Sequence, residues 1–235
     1  MDSTTTISHE IAQTLRGEIL CQQYRSGERL PSERDLASRF GASRGAVREA
    51  LSQLDQLGLI DVQPGGARVR AIDCASISIL GPLMELGEVP DAALVDQFLQ
   101  TFGALAALNS RESVLRANTE QLNRMQAMVV SLGKNCRDLE AMQPQWRELL
   151  EYQSAVADNL VVKLINNDLK AQFVDQMMKL GIKPVLKKKA VAEFLSSLSS
   201  ALAARDSELA GVVMQNYFDE LRQSVLVAIE NRLAG

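Results

Sequence analysis

Arg44 and Arg48 stand four residues apart, with Ser43 before them, Gly45 between them, and Arg34 upstream. The planar fork of arginine binds guanine O6 and N7 in a bidentate way and also clamps phosphate oxygens. A serine hydroxyl at a helix start caps the helix or meets a phosphate, and a bare glycine lets another backbone come close. Residues of these types at this spacing suit duplex DNA, provided that Arg44 and Arg48 share one face of a helix. The ordinary alternative is that these arginines, with Arg39, solvate exposed helix faces and pair with Glu33, Asp35 and Glu49.

The surrounding sequence supplies the elements to position them. ISHEIAQTLRGEIL sets Ile7, Ile11, Leu15 and Ile19 on one helical face. After RSGERLP, Ser32 can cap a second helix, with Asp35 in a capping-box position and Leu36 and Phe40 inward; Gly41 stops it. Ser43 can cap a third helix whose apolar face is Val47, Ala50, Leu51 and Leu54, ending at Gly58. Two helices across a short turn make a helix-turn-helix, in which the second helix enters the major groove. LIDVQ and ARVRAI around PGG then predict a hairpin, with Arg68 and Arg70 alternating with Val69 to make one face of this wing basic.

Composition agrees with a largely helical protein. Of 235 residues, 46% are hydrophobic and only 4% aromatic, and the apolar set is mostly Leu, Ala and Val. The fold expected is mostly α: a winged helix-turn-helix over residues 1–75 and an all-helical domain of six or seven helices over 76–235. GEVP, SLGKNC, MQP, LGIKP and ARD are read as the breaks between those helices, and Leu209, Val213, Tyr217, Leu221, Val225 and Ile229 line the last one. A net charge of −4 confines any DNA contact to a local basic surface. Cys21, Cys74 and Cys136 fit no metal spacing and suit a reducing compartment. No apolar run reaches the roughly 18 residues a membrane span requires, and the first ten residues lack the features of a signal peptide. A cytoplasmic protein without membrane contact is expected.

GxxxxGK, GxGxxG and GxSxG motifs are absent, and His9 is the single histidine, which excludes most triads and histidine metal sites. No enzyme and no cofactor are expected.

The run LPSERDLASRFGASRGAVREALSQLDQLGLIDVQPGGARV resembles the DNA-binding domain of the GntR family of bacterial transcription regulators, over roughly residues 7 to 72. The helical remainder resembles the effector-binding domain of the FadR-type branch, through stretches such as SALAARDSELAGVVMQ. The resemblance implies that Arg34, Arg44 and Arg48 read bases or clamp phosphates, that Ser43 and Gly45 touch the DNA backbone, and that Gly65 sits at the wing tip beside Arg68. A histidine often precedes that glycine in the family; here Pro64 stands there. The resemblance also implies a homodimer on a palindromic operator and a small-molecule effector.

Many FadR-type domains hold a metal through an acid and three histidines. The approximate positions of those ligands carry Trp146, Leu150, Leu195 and Tyr217, which make a poor donor set for a divalent ion. A metal-free apolar pocket lined by Trp146, Leu150 and Leu195, with Tyr152 or Tyr217 as polar handles, would suit a long-chain acyl coenzyme A, the ligand of the member that names the branch. Lys183, Lys187, Lys188 and Lys189 could meet phosphates of such a ligand or simply solvate a helix end. The same residues could instead be plain core in a domain that binds a protein partner.

Overall fold

The computed structural model describes residues 7–87, 89–134, 139–179 and 185–234, with side chains outside 139–141, 170–179 and 234. The chain forms two compact units that divide between residues 88 and 89.

The first unit is built on α1 (Ile7–Leu20), α2 (Glu33–Phe40) and α3 (Arg44–Gln56), followed by β1 (Ile60–Gln63) and β2 (Gly66–Val69). Ile11, Leu15 and Ile19 of α1, Leu36 of α2 and Val47, Ala50, Leu51 and Leu54 of α3 are buried in one cluster. Ile7 and Phe40, read as part of the same faces, are exposed and half-buried. Gly41 adopts φ 60° and closes α2, its N–H reaching the carbonyls of Ala37 and Ser38.

Gly58 ends α3 at φ 72°, and a Cβ there would lie 2.7 Å from the carbonyl oxygen of Cys74. Conformation and close approach both demand glycine. Gly58→Ala is therefore expected to destabilise this unit by about 2–3 kcal/mol, read as a lower urea midpoint. An unchanged midpoint would mean that the turn at 72–74 moves aside freely.

The wing is broader than a hairpin. β1 and β2 pair antiparallel with Ile60 opposite Val69 and Asp61 opposite Arg68. Arg29 bridges Arg68 on the other edge of β2, and Leu30 N–H donates to Ala67 O at 3.0 Å. The segment after α1 thus adds a third edge.

The second unit follows α4 (Leu80–Met84) and consists, among the described residues, of six helices: α5 (Ala92–Arg116), α6 (Thr119–Lys134), α7 (Leu139–Ala157), α8 (Leu160–Lys179), α9 (Lys188–Ala204) and α10 (Ser207–Ala234). Side chains announce several starts. Asp91 accepts from the N–H groups of Ala93 and Leu94. Asn118 and Gln121 exchange bonds of 2.8 and 2.9 Å in a reciprocal capping box before α6. The breaks at Asn118 and at Asp158–Asn159 are absent from the sequence reading. MQP, read as a break, lies inside α7, where Pro144, the sixth residue, removes one backbone hydrogen bond without ending the helix. LGIKP lies largely outside the described residues.

α5 and α10 pack along most of their length. They approach closely because Gly103 faces Phe218, where a Cβ would come within 2.8 Å of the Phe218 Cβ, and Gly211 faces Arg111. On α10, Val213, Tyr217, Val225 and Ile229 are buried, but Leu209 is 39% exposed. Steps of four residues drift about 40° each on a helix of 3.6 residues per turn, so one such row cannot face one neighbour over 28 residues. Ala210, Met214 and Phe218 carry the contact at the N-terminal half instead.

Candidate nucleic-acid interface and effector cavity

Ser43 Oγ accepts from Ala46 N–H at 3.2 Å and so starts α3. Val47, Ala50, Leu51 and Leu54 go inward, which leaves Ser43, Arg44, Gly45 and Arg48 exposed at the start of the helix. A Cβ on Gly45 would meet nothing of this chain closer than Ser43 Oγ at 3.7 Å. The glycine serves no internal packing, and its bare backbone faces outward. Arg44 makes no side-chain hydrogen bond or ion pair among the described residues.

The neighbouring arginines differ in their engagements. Arg48 Nε donates to Glu33 Oε2 at 2.7 Å while its side chain remains 69% exposed. Arg34, at the start of α2, is 78% exposed and 3.7 Å from Asp35. Asp35 is held below the usual carboxylate range, first by the Ser32 hydroxyl bond at 2.6 Å and also by the Arg34 charge. Its side chain accepts from the Ser32 hydroxyl, and Ser32 Oγ in turn accepts from Asp35 N–H. Arg39 leaves the group that the sequence places together. It is paired with Glu18 of α1, lies 3.4 Å from Tyr24 Oη and sits over the Phe40 ring, and the Glu18 hydrogen bond raises its pKa. Arg39 joins α2 to α1.

In the wing, Gly65 and Gly66 take φ 112° and 125°, a turn that only glycine enters easily. Arg68 and Arg70 are exposed and Val69 is buried, the expected alternation. Arg68 turns one guanidinium nitrogen back to Gly27 O at 2.8 Å. Arg29, which the sequence reading passes over, sets a terminal nitrogen 3.6 Å from where a Gly65 Cβ would be.

In the helical unit, Trp146, Leu195 and Tyr217 are buried in one core with Phe194 and Phe218. The Trp146 ring lies 5.0 Å from Tyr217 and 5.5 Å from Phe194, and Tyr217 lies 4.3 Å from Phe194. This aromatic cluster fills the position where the family resemblance implies a metal. Burial pushes the Tyr217 hydroxyl up to about 12, so it stays protonated and is a poor ligand. The residues do not fit a divalent ion. Among the described residues no three of His, Cys, Asp and Glu gather to hold one.

The folded state keeps the Tyr217 proton to about pH 12, whereas the unfolded chain gives it up near pH 10, so its contribution is intact below pH 10 and lost as pH rises toward 12. Between pH 9 and pH 11 the wild type should lose about 1.4 kcal/mol more stability than Tyr217→Phe, measured by urea unfolding. Parallel losses would show that Tyr217 ionises freely.

A cleft of about 300 Å³ opens between α5, α7 and α8. Leu150 lines it; Tyr152 packs on the core beneath the Arg124 guanidinium, 4.6 Å from its ring. Of the five residues expected to line a pocket, Leu150 alone borders this cleft. The rest of its lining is mixed: Phe102, Ala106 and Ala155 stand beside Asn109, Glu151, Ser154, Lys163, Asn166 and Asn167. Asn109 is buried, and the buried Asn166 Oδ1 has no hydrogen-bond partner. Lys163 is 3.1 Å from Asp158. The lysines at 187–189 are exposed at the start of α9, and Lys183 lies outside the described residues.

Residues 7–69 match the model of the bacterial regulatory proteins of the gntR family. An HTH-type transcriptional regulator of Mycobacterium tuberculosis, Rv0494, is 35% identical over 144 residues, 57% of each chain. The HTH-type transcriptional repressor NanR of an Enterobacter species is 36% identical over 77 residues, 33% of this chain and 29% of that one. The matches thus span between about a quarter and three fifths of the length of these curated relatives. Across 95% of this chain and 98% of the other, the fold is similar to that of Lar, which controls expression of the Listeria monocytogenes agr system, with a TM-score of 0.52 at 19% identity.

Proposed function

From the match of residues 7–69 to the gntR family model, we propose that this chain is a sequence-specific transcription regulator of that family whose affinity for DNA is set by a small molecule in the helical unit. One observation carries the reading: a Ser43-capped helix buries one face in the core and presents Arg44, Gly45 and Arg48 on the other. Bases are read by Arg44 and Arg48, phosphates by Arg34, Ser43 and the Gly45 backbone, and the flanking DNA by the wing around Gly65 and Arg68. The protein works as a homodimer on a palindrome, since two-fold symmetric readers of this kind use paired half-sites. It acts in the cytoplasm, in keeping with the absence, among the described residues, of any helix long and apolar enough to cross a membrane.

The effector enters the cleft beside Leu150 and needs no metal. A volume of about 300 Å³ is at the small end of ligand sites. Its size, with amides and Lys163 set beside Phe102 and Leu150, favours a small molecule that carries polar groups over a long-chain acyl coenzyme A, whose chain would have to displace the aromatic core. A second reading, a helical unit that docks a protein partner, draws support from exposed Leu160, Val161 and Leu164 at the start of α8.

The test is selection of target sites from random duplex DNA, with and without a long-chain acyl coenzyme A and a set of small polar acids and amides. A palindrome released by a small polar ligand supports the whole reading. One released by the acyl coenzyme A replaces the polar effector with a greasy one. No enriched sequence overturns the regulator.

A further inference from the structure

We propose that Arg29 is the minor-groove contact of the wing, entering A·T-rich DNA beside the half-site that α3 reads; the inference rests on the regulator reading above. Arg29 is distant in sequence from β1 and β2, yet its bridge to Arg68 puts it in the same sheet. Directly paired residues on adjacent strands project to one face, so Arg29 and Arg68 set two positive charges side by side. Such a pair is unfavourable unless something negative meets it.

Asp61, in register with Arg68, shares this face and offsets one of the two charges while accepting from the Gln63 side-chain amide, and Glu28 accepts from Arg25 N–H at 2.9 Å, so a positive charge is left at Arg29. The two arginines are not equally available. Arg68 is turned back to Gly27 O. Arg29 is exposed, its guanidinium makes no hydrogen bond or ion pair among the described residues, and its terminal nitrogen sits beside the Gly65 turn. Gly65 and Gly66 carry no side chain to cover it. A free guanidinium at the tip of a narrow, glycine-turned ribbon matches the narrow, strongly negative minor groove of A·T tracts. It also takes the place at the wing tip that Pro64, which has no polar side-chain atom, leaves without a donor.

The experiment uses full-length protein and the site enriched from random duplexes, with that site held fixed and its flanks made A·T-rich or G·C-rich. The wild type should prefer A·T-rich flanks. Arg29→Ala should lose about 5- to 20-fold in affinity on them and bind both flanks alike, whereas Arg68→Ala should weaken binding to both flanks equally and keep the preference. Thermal melting of Arg29→Ala should match the wild type, because Arg29 carries no side-chain bond among the described residues. An Arg29→Ala variant with an intact flank preference, a wild type with none, or loss of the preference in Arg68→Ala instead would each overturn the inference. Failure of the wild type to enrich any sequence would sink the regulator reading, and this one with it.

Discussion

Arg44→Ala is expected to cost about 1–3 kcal/mol of operator binding, roughly 5- to 150-fold, and to flatten discrimination at the base pair that Arg44 reads. The substitution isolates binding because Arg44 is exposed and unpaired among the described residues, so folding should not notice it. Gel-shift titrations against single-base operator variants, beside melting curves, separate the two effects. Weaker binding that falls evenly across all sequences would demote Arg44 to a phosphate clamp, and unchanged binding would remove it from the interface. Arg48→Ala is a less clean experiment, since it also strips Glu33 of its partner.

Trp146→Ala should lower the stability of the helical unit by about 3–5 kcal/mol. Its ring is 7% exposed and wedged among Phe194, Tyr217 and Phe218, and removing an indole from so tight a cluster leaves a cavity that the long helices α5 and α10 cannot collapse into. Denaturant unfolding followed by circular dichroism measures it. A loss below about 1 kcal/mol, less than a core truncation costs, would mean that the indole borders open space, and the apolar effector pocket around Trp146 would regain its claim.

The first unit was legible because each step of its fold is signalled locally. Ser32 and Ser43 cap, Gly41 and Gly58 stop, and apolar residues repeat with the helical period between them. Arg29 was not legible, since a single bridging residue leaves no periodic trace and its partner lies far along the chain. The helix breaks in the second unit split on the same ground. Asn118 and Asn159 announce caps through polar side chains that also occur inside helices, and Pro144 mimics a break although α7 runs on through it. Leu209 fell on the wrong face because a four-residue row was extended past the length over which it stays aligned. The cleft escaped because Asn109 and Asn166 meet only through the packing of α5 against α8, while the aromatic residues proposed to line a pocket pack on one another.

The Glu33–Arg48 pair, 2.7 Å long and exposed, bears on how such a protein would find one site among many. An exposed pair of this kind is worth at most about 1 kcal/mol. If Arg48 reads a base as proposed, it would leave Glu33 at the matching site and keep it elsewhere. Releasing so weak a pair would cost less than the about 1–3 kcal/mol of a bidentate guanine contact, so the pair would restrain Arg48 on arbitrary sequences at small expense to the matching one. Against the roughly 10⁶–10⁹ competitors a genome offers, that ratio would govern occupancy more than absolute affinity does.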